Sequence, residues 1–342
     1  GDVAQAGFTV NVIDDVPVAD VGTRSTVEDE ALSGGNDEAD GLSASVHGAS
    51  LNIHWGADAG NSNSGGNGDR SVAFSDAQVA VSGAYGAALT SGGKDVHFAL
   101  LSDGSLVGYT GPGVPGTVGA ANVVFYASVS DVNNGEYAFT LVKALDHAGG
   151  GEENTLSLSF GYTATDGDGD TTTSTFTVDI VDDVPTVPAA AIQGGFVEEE
   201  QGSVAGPGNE DFGGAHDADS GVTVLGIPVV LNDATTAKTS GSLGIEWGAD
   251  RANDGNGQPG DRSVQFAGIA DPAGLTSRGA AVHYTVVTSP SGQPTLVAYT
   301  GTEPGTVPAT AAAAVAAGVV FTVALSDASA HGSYAFTLYD VL

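Results

Sequence analysis

The feature that most constrains this chain is that it repeats itself: FTVNVIDDVPVA at 8–19 returns as FTVDIVDDVPTV at 176–187. Two further blocks return in the same order. IHWGADAGNSNSGGNGDRSVAF at 53–74 reappears as IEWGADRANDGNGQPGDRSVQF at 245–266, and VVFYASVSDVNNGEYAFTL at 123–141 as VVFTVALSDASAHGSYAFTL at 319–338. Similarity that keeps its order over most of a chain means a tandem array of large modules. The second copy is the longer, with most of its extra residues before Trp247. Surface loops absorb such insertions cheaply, because closure entropy grows slowly with length. Arrays of stacked units make reach, spacing or a binding platform.

The local pattern is β. In LSLSFGY at 156–162, Leu156, Leu158, Phe160 and Tyr162 fall on one face and Ser157, Ser159 and Gly161 on the other, the period of a half-buried strand. Phe176, Val178 and Ile180, and Tyr137, Phe139 and Leu141, alternate likewise, with Gly, Asn, Asp and Pro clusters in the gaps. No amphipathic helix separates these runs. Short, regularly spaced strands of this kind predict antiparallel sandwiches in preference to βαβ units.

Charge narrows the function classes. Eight Lys and Arg stand against 42 Asp and Glu, a formal net charge of −34, which repels nucleic-acid phosphates and anionic membranes. With 41% hydrophobic residues in periodic runs, the chain differs from the acidic disordered class. Cysteine is absent, so neither disulfides nor thiolate metal sites are available. A hard cation is the staple that remains. The apolar run AAAAVAAG at 311–318 is too short to span a membrane, and no signal-like segment opens the chain. Methionine is missing even at position 1, which is expected of a segment excised from a longer protein.

The acids sit where a cation could use them. Asp166, Asp168 and Asp170 lie in DGDGD between two strand patterns, and the intervening glycines let the turn curl its oxygens inward. Ca²⁺ takes six to eight oxygen ligands, and the D-x-D-x-D opening suits it. A free-standing EF-hand is excluded, because position twelve is Thr177 and strands flank the loop. Asp182 and Asp183 precede Val184-Pro185, as Asp14 and Asp15 precede Val16-Pro17, and proline there makes a stiff extended linker. Glu28, Asp29 and Glu30 follow the first linker; Glu198, Glu199 and Glu200 follow the second. Loop, linker and downstream acids are expected to meet at one junction. Solvated turns are the competing account, since 42 acids cluster somewhere in any case.

Other motifs read as structural. Asp58 with Asp250 and Asp69 with Asp261 recur in Gly-rich loops, where a polar tip pinned by the Asp69-Arg70 and Asp261-Arg262 pairs competes with a second cation site. Trp55 and Trp247 are expected in the core rather than as sugar platforms. No GxSxG, HExxH, P-loop or GxGxxG motif is present, so no enzyme is expected. His97 and His283 match between copies inside strand runs and read as structural.

The run GEYAFTLVKALDHAGGGEENTLSLSFGYTATDGDGDTTTSTFTVDIVDDVP at 135–185, with the WGAD and GDRSV blocks, resembles the tandem modules of giant RTX-type bacterial adhesins exported by type I secretion. The similarity covers most of both periods. It implies calcium-binding β-sandwich extender units that hold a ligand-binding region away from the cell, in adhesion or biofilm formation. By position, the resemblance assigns metal to Asp166, Asp168, Asp170, Asp182 and Asp183 after the first full module, and to Asp2, Asp14 and Asp15 before it. The GGxGxDxUx nonapeptide is absent, GGNGDRSVA at 65–73 being the nearest run.

The expectation is therefore an all-β chain of tandem antiparallel β-sandwich modules, Ig-like or cadherin-like, in an elongated array. Residues 1–15 are expected to be the terminal strand of a preceding module, 16–183 a complete repeat, and 184–342 a second repeat lacking its last strands. Metal is expected at Asp2, Asp14, Asp15, Glu28, Asp29, Asp166, Asp168, Asp170, Asp182, Asp183, Glu198 and Glu199, with Ca²⁺ as cofactor. Expected partners are neighbouring repeats of the same chain, with a glycan or protein ligand bound elsewhere in the parent and no nucleic acid or membrane insertion. The expected location is extracellular, on the bacterial cell surface. The alternative is a glycan- or peptide-binding module, carried by the insert at 203–242 or the Trp-proximal loops.

Overall fold

The computed structural model describes residues 2–36, 40–62, 68–83, 88–148, 153–195, 197, 223–224, 227–228, 238–249, 251–253, 261–288 and 292–342. The fold is nearly all β. The chain divides into two units, one comprising Gly1–Val184 with Gly248–Asp261, the other Pro185–Trp247 with Arg262–Leu342.

The first unit carries β1 (Val18–Ala19), β2 (Ser25–Glu28), β3 (Ser45–Ser50), β4 (Ile53–His54), β5 (Ser71–Ser82), β6 (Thr90–Ser91), β7 (Lys94–Leu100), β8 (Leu106–Thr110), β9 (Val123–Ser130), β10 (Glu136–Leu141), β11 (Thr155–Thr165) and β12 (Thr171–Val181). They form a six-stranded sheet, β3-β10-β9-β8-β7-β6, and a four-stranded sheet, β2-β12-β11-β5, with β1 paired to β4. All pairings are antiparallel except that of β2 with β12.

Alternation explains how the sheets meet. Along β11, Leu156, Leu158, Phe160, Tyr162 and Ala164 are fully buried, as are Phe176, Val178 and Ile180 on β12. Phe125 and Phe139 of the six-stranded sheet share one core with them. Phe125 meets Phe160 edge to face at 6.2 Å, and Tyr137 stacks on Phe176 at 4.0 Å between ring centroids. Each such side chain contributes about 1.5–3 kcal/mol by leaving water. The buried hydroxyl of Tyr162 donates to the Leu51 carbonyl at 2.6 Å, which meets the cost of burying it. On the outer face of β12, Asp179 accepts from Arg24 Nε at 2.5 Å and Nη2 at 2.6 Å.

The same residue pattern takes a different form at the start of the chain. Residues 2–17 form no strand, and Phe8 and Ile13 are 91% and 92% exposed, although FTVNVI matches the buried FTVDIV of β12. A strand is stabilised by its neighbours more than by its own propensity.

The second unit carries β13 (Thr223–Val224), β14 (Ile227–Pro228), β15 (Lys238–Ser242), β16 (Thr276–Ser277), β17 (Ala280–Ala281), β18 (His283–Thr288), β19 (Pro294–Tyr299), β20 (Val319–Ser326) and β21 (Ser333–Leu338). Its sheet order, β15-β21-β20-β19-β18, reproduces β3-β10-β9-β8-β7. Ser277 donates to the Val341 carbonyl at 2.5 Å as Ser91 does to that of Ala144 at 2.6 Å, so sequence repeat and structural repeat agree in detail. Among the described residues this unit has no counterpart of the four-stranded sheet. The alanine run forms a short helix, Ala311–Ala316, whose Thr310 cap accepts from Ala313 N at 3.2 Å. No helix among the described residues is long and apolar enough to cross a membrane.

Candidate metal centres

Strand length decides which acids can meet. β12 has 11 residues, so DGDGD before it and Asp182-Asp183 after it are about 36 Å apart. They cannot share an ion. The expectation of one junction gathering loop, linker and downstream acids is thereby corrected: among its described residues the first unit holds two separate groups, Asp14 with Asp168 and Asp170, and Asp29 with His147 and Asp182. In each group the ligand atoms lie within 4.8 Å of one another.

The first group lies at the hairpin tip joining β11 to β12. Asp166 builds that tip: it is 2% exposed, and its Oδ1 accepts from Gly169 N at 3.1 Å and Asp170 N at 2.9 Å. Gly169 sits at φ 112°, a left-handed conformation that glycine adopts without strain. The second oxygen of Asp166, Oδ2, is buried with no hydrogen-bond partner. The WGAD loop packs against the same tip, Gly167 donating to the Asp58 carbonyl at 3.0 Å.

Linker acids complete this end. Asp15 Oδ2 accepts from Ala57 N at 2.8 Å, and Gly56 is at φ 72° with a Cβ there only 2.6 Å from that oxygen. The second DDVP motif does the same work: Asp183 accepts from Ala249 N at 2.6 Å, beside Gly248 at φ 77°. Docking Asp15 brings its neighbour Asp14 to Asp168 and Asp170. The crowding is expressed in their protonation. A hydrogen bond with Asp166, then burial and the charges of Asp14, Asp166 and Asp58, push Asp168 up to about 6. Burial and the Asp14 and Asp166 carboxylates raise Asp170. These donors are all oxygens, two on a tightly turned loop and one on the linker docked against it, which fits a hard divalent ion such as Ca²⁺.

The second group follows from the one parallel pairing. β2 runs beside β12 with Glu28 opposite Val181, so Asp29 and Asp182 leave the ladder together, Asp29 N donating to the Val181 carbonyl at 3.0 Å. Asp29 is fully buried; its Oδ2 accepts from Leu145 N at 3.3 Å while Oδ1 has no hydrogen-bond partner. Burial, together with Asp182, Asp183 and Asp146, holds its carboxyl well above the ordinary range. Burial also raises Asp182 and Asp183, and lowers His147. His147 Nε2 stands 3.3 Å from Asp29 Oδ2, with both side chains almost wholly buried. Asp183 Oδ1 is another buried oxygen without a hydrogen-bond partner. Asp146 next to His147 has a structural role, accepting from Gly92 N and Gly93 N, each at 2.8 Å.

The remaining expected ligands divide plainly. Asp2 is exposed and joins neither group. Glu28 is buried at the end of β2, and Glu30 is also buried. Glu198, Glu199 and Glu200, Asp250 and most of the insert at 203–242 lie outside the described residues. Trp55 and Trp247 are buried, each under an arginine: Arg70 lies 4.7 Å above one ring and Arg262 5.0 Å above the other. Arg70 donates to the Asp131 and Asn133 carbonyls and Arg262 to those of Asp327 and Ser329, so backbone oxygens take part in pinning these loops. Strand histidine His283 has an acid partner that its sequence context did not reveal, Asp271 at 2.7 Å. His147 was not expected among the ligands; the LDH triplet was its signal, but Asp29 lies far away in sequence. Set against protein-family models, characterised proteins and solved structures, the chain matches none.

Proposed function

We propose that this chain is a pair of Ig-like or cadherin-like extender modules from the stalk of a secreted bacterial surface adhesin, stiffened outside the cell by Ca²⁺. The observation that carries the reading is the meeting of Asp14, from a proline-ended linker, with Asp168 and Asp170, from a hairpin tip more than a hundred residues away in sequence. Without a cation these carboxylates repel one another, and the linker residues before the buried Pro17 are held chiefly by the bond from Ala57 N to Asp15. With Ca²⁺ their oxygens are tied to one centre, and the segment through Val16-Pro17 loses its freedom relative to the sandwich. Repeated along an array, the same device turns a flexible string into a strut that serves adhesion or biofilm formation.

Location sets the switch. Extracellular calcium modules bind with Kd of about 10⁻⁴–10⁻³ M, so such a site stays empty at cytosolic levels and fills outside. The absence of cysteine and the strong negative charge accord with cation stapling in place of disulfides. The test is melting temperature and small-angle scattering of the chain in millimolar Ca²⁺ and in chelator. Calcium is expected to raise the first and lengthen the maximum dimension from the second; identical values in both conditions discard the proposal.

A further inference from the structure

The buried group at the other end of β12 has a donor set that calcium alone does not explain. Asn154 Nδ2 donates to the Ala148 carbonyl at 2.8 Å and lies 3.3 Å from Asp182 Oδ2, which fixes the amide. Its Oδ1 therefore faces His147 Nδ1, at 3.3 Å, and an acceptor there requires the proton on Nδ1. That tautomer leaves the Nε2 lone pair facing the Asp29 carboxylate at 3.3 Å, with no hydrogen bond formed. With Asp29 ionised, two acceptors face each other in a buried space, beside a third from Asp182 and next to the unpartnered Asp29 Oδ1. A cation between them resolves the conflict.

We infer that Asp29, His147 and Asp182 form a divalent-metal site of zinc-class preference, distinct from the oxygen-only site at the hairpin tip. Imidazole nitrogen is a common ligand for Zn²⁺ and its neighbours in the first transition row, whereas Ca²⁺ takes oxygen. Two ligands about 2.05 Å from a tetrahedral ion stand about 3.3 Å apart, the separation already present between His147 Nε2 and Asp29 Oδ2. Asn154 supplies the outer hydrogen bond that sets the tautomer of a metal-bound histidine. The inference holds whether or not the tip binds calcium.

The test titrates Zn²⁺ into the chelator-stripped full chain, alone and with millimolar Ca²⁺ present, and counts tightly bound zinc. One equivalent that Ca²⁺ does not displace is expected. His147→Gln should weaken it by more than the 10–100-fold typical of outer-shell changes, while leaving the calcium-induced rise in melting temperature intact. Long-range ¹H–¹⁵N spectra of the wild-type imidazoles provide a readout that does not depend on the variant's folding: stoichiometric Zn²⁺ should shift His147 Nε2 and leave Nδ1 protonated. Zinc binding undiminished in the folded variant would place the ion elsewhere, for example at the exposed His283 and Asp271. That result, ready displacement by Ca²⁺, or a His147 resonance unmoved by zinc because Asp29 simply shares a proton with it would overturn the inference.

Discussion

At the hairpin tip, Asp14 and Asp168 are exposed and Asp170 half-buried, and their group offers oxygen alone; at the far end of β12, Asp29 and Asp182 meet His147 in a largely buried setting. The tip is assembled by a loop that curls on itself and a linker docked onto it. The far group is assembled by a parallel strand pair that delivers two acids side by side. The difference teaches that acid count is a poor guide to metal chemistry. Strand length separates the acids, and the side chain that joins each set decides which ion it fits.

The contrast breaks first at Asp166. Removing it costs two amide hydrogen bonds to a charged acceptor, so Asp166→Ala should lower stability by about 3 kcal/mol in urea denaturation, in chelator as well as in calcium. Asp168→Ser, in the same loop but accepting no backbone amide, should leave metal-free stability at neutral pH unchanged or slightly higher, since it removes a carboxyl crowded by Asp14, Asp166 and Asp58, and should abolish the calcium response. Equal losses from both variants would mean that the loop acids act alike.

Calcium sharpens the comparison next. At about 10 mM, a site of the expected affinity adds about 1.4–2.7 kcal/mol, or about 3–11 °C in melting temperature for a unit of this size. Calorimetry should show this gain lost in an Asp14→Asn, Asp168→Asn, Asp170→Asn triple variant and kept in Asp182→Asn. Loss in the second variant would merge the two sites.

A smaller effect is expected with pH. A carboxyl raised in the folded state keeps its proton where the unfolded chain has lost it, so stability falls as pH climbs from about 4 through the folded value. Asp168, raised to about 6, and Asp29, Asp170, Asp182 and Asp183 all act in this sense. His147, lowered by burial, acts oppositely as pH falls below the ordinary histidine range, but it is a single group. The metal-free protein should therefore melt higher at pH 5 than at pH 7.5. Calcium, which needs ionised oxygens, should narrow or reverse that order; a calcium increment independent of pH would count against carboxylate ligation.

Much of this architecture was legible in the sequence. Period-two alternation placed Leu156 to Tyr162 and Phe176 to Ile180 in the core, DGDGD fell in a hairpin between strands as expected, and both tryptophans are buried. What could not be read was partnership. Asp166, Asp168 and Asp170 looked like companions of Asp182 and Asp183 because they are near in sequence, yet an extended strand carries them apart. Asp29 and His147 are distant in sequence, and only the parallel register of β2 on β12 brings Asp29 to that end. FTVNVI at 8–13 carries the same strand signal as β12 and forms no strand, because alternation reports propensity and says nothing of a neighbour to pair with.

The most direct test is a crystal structure of the chain grown in millimolar calcium, read for anomalous signal at the tip. The account predicts an ion joined to Asp14, Asp168 and Asp170 by oxygens at about 2.3–2.6 Å, within a shell of six to eight. A tip without an ion, its three carboxylates turned to water under those conditions, would contradict it.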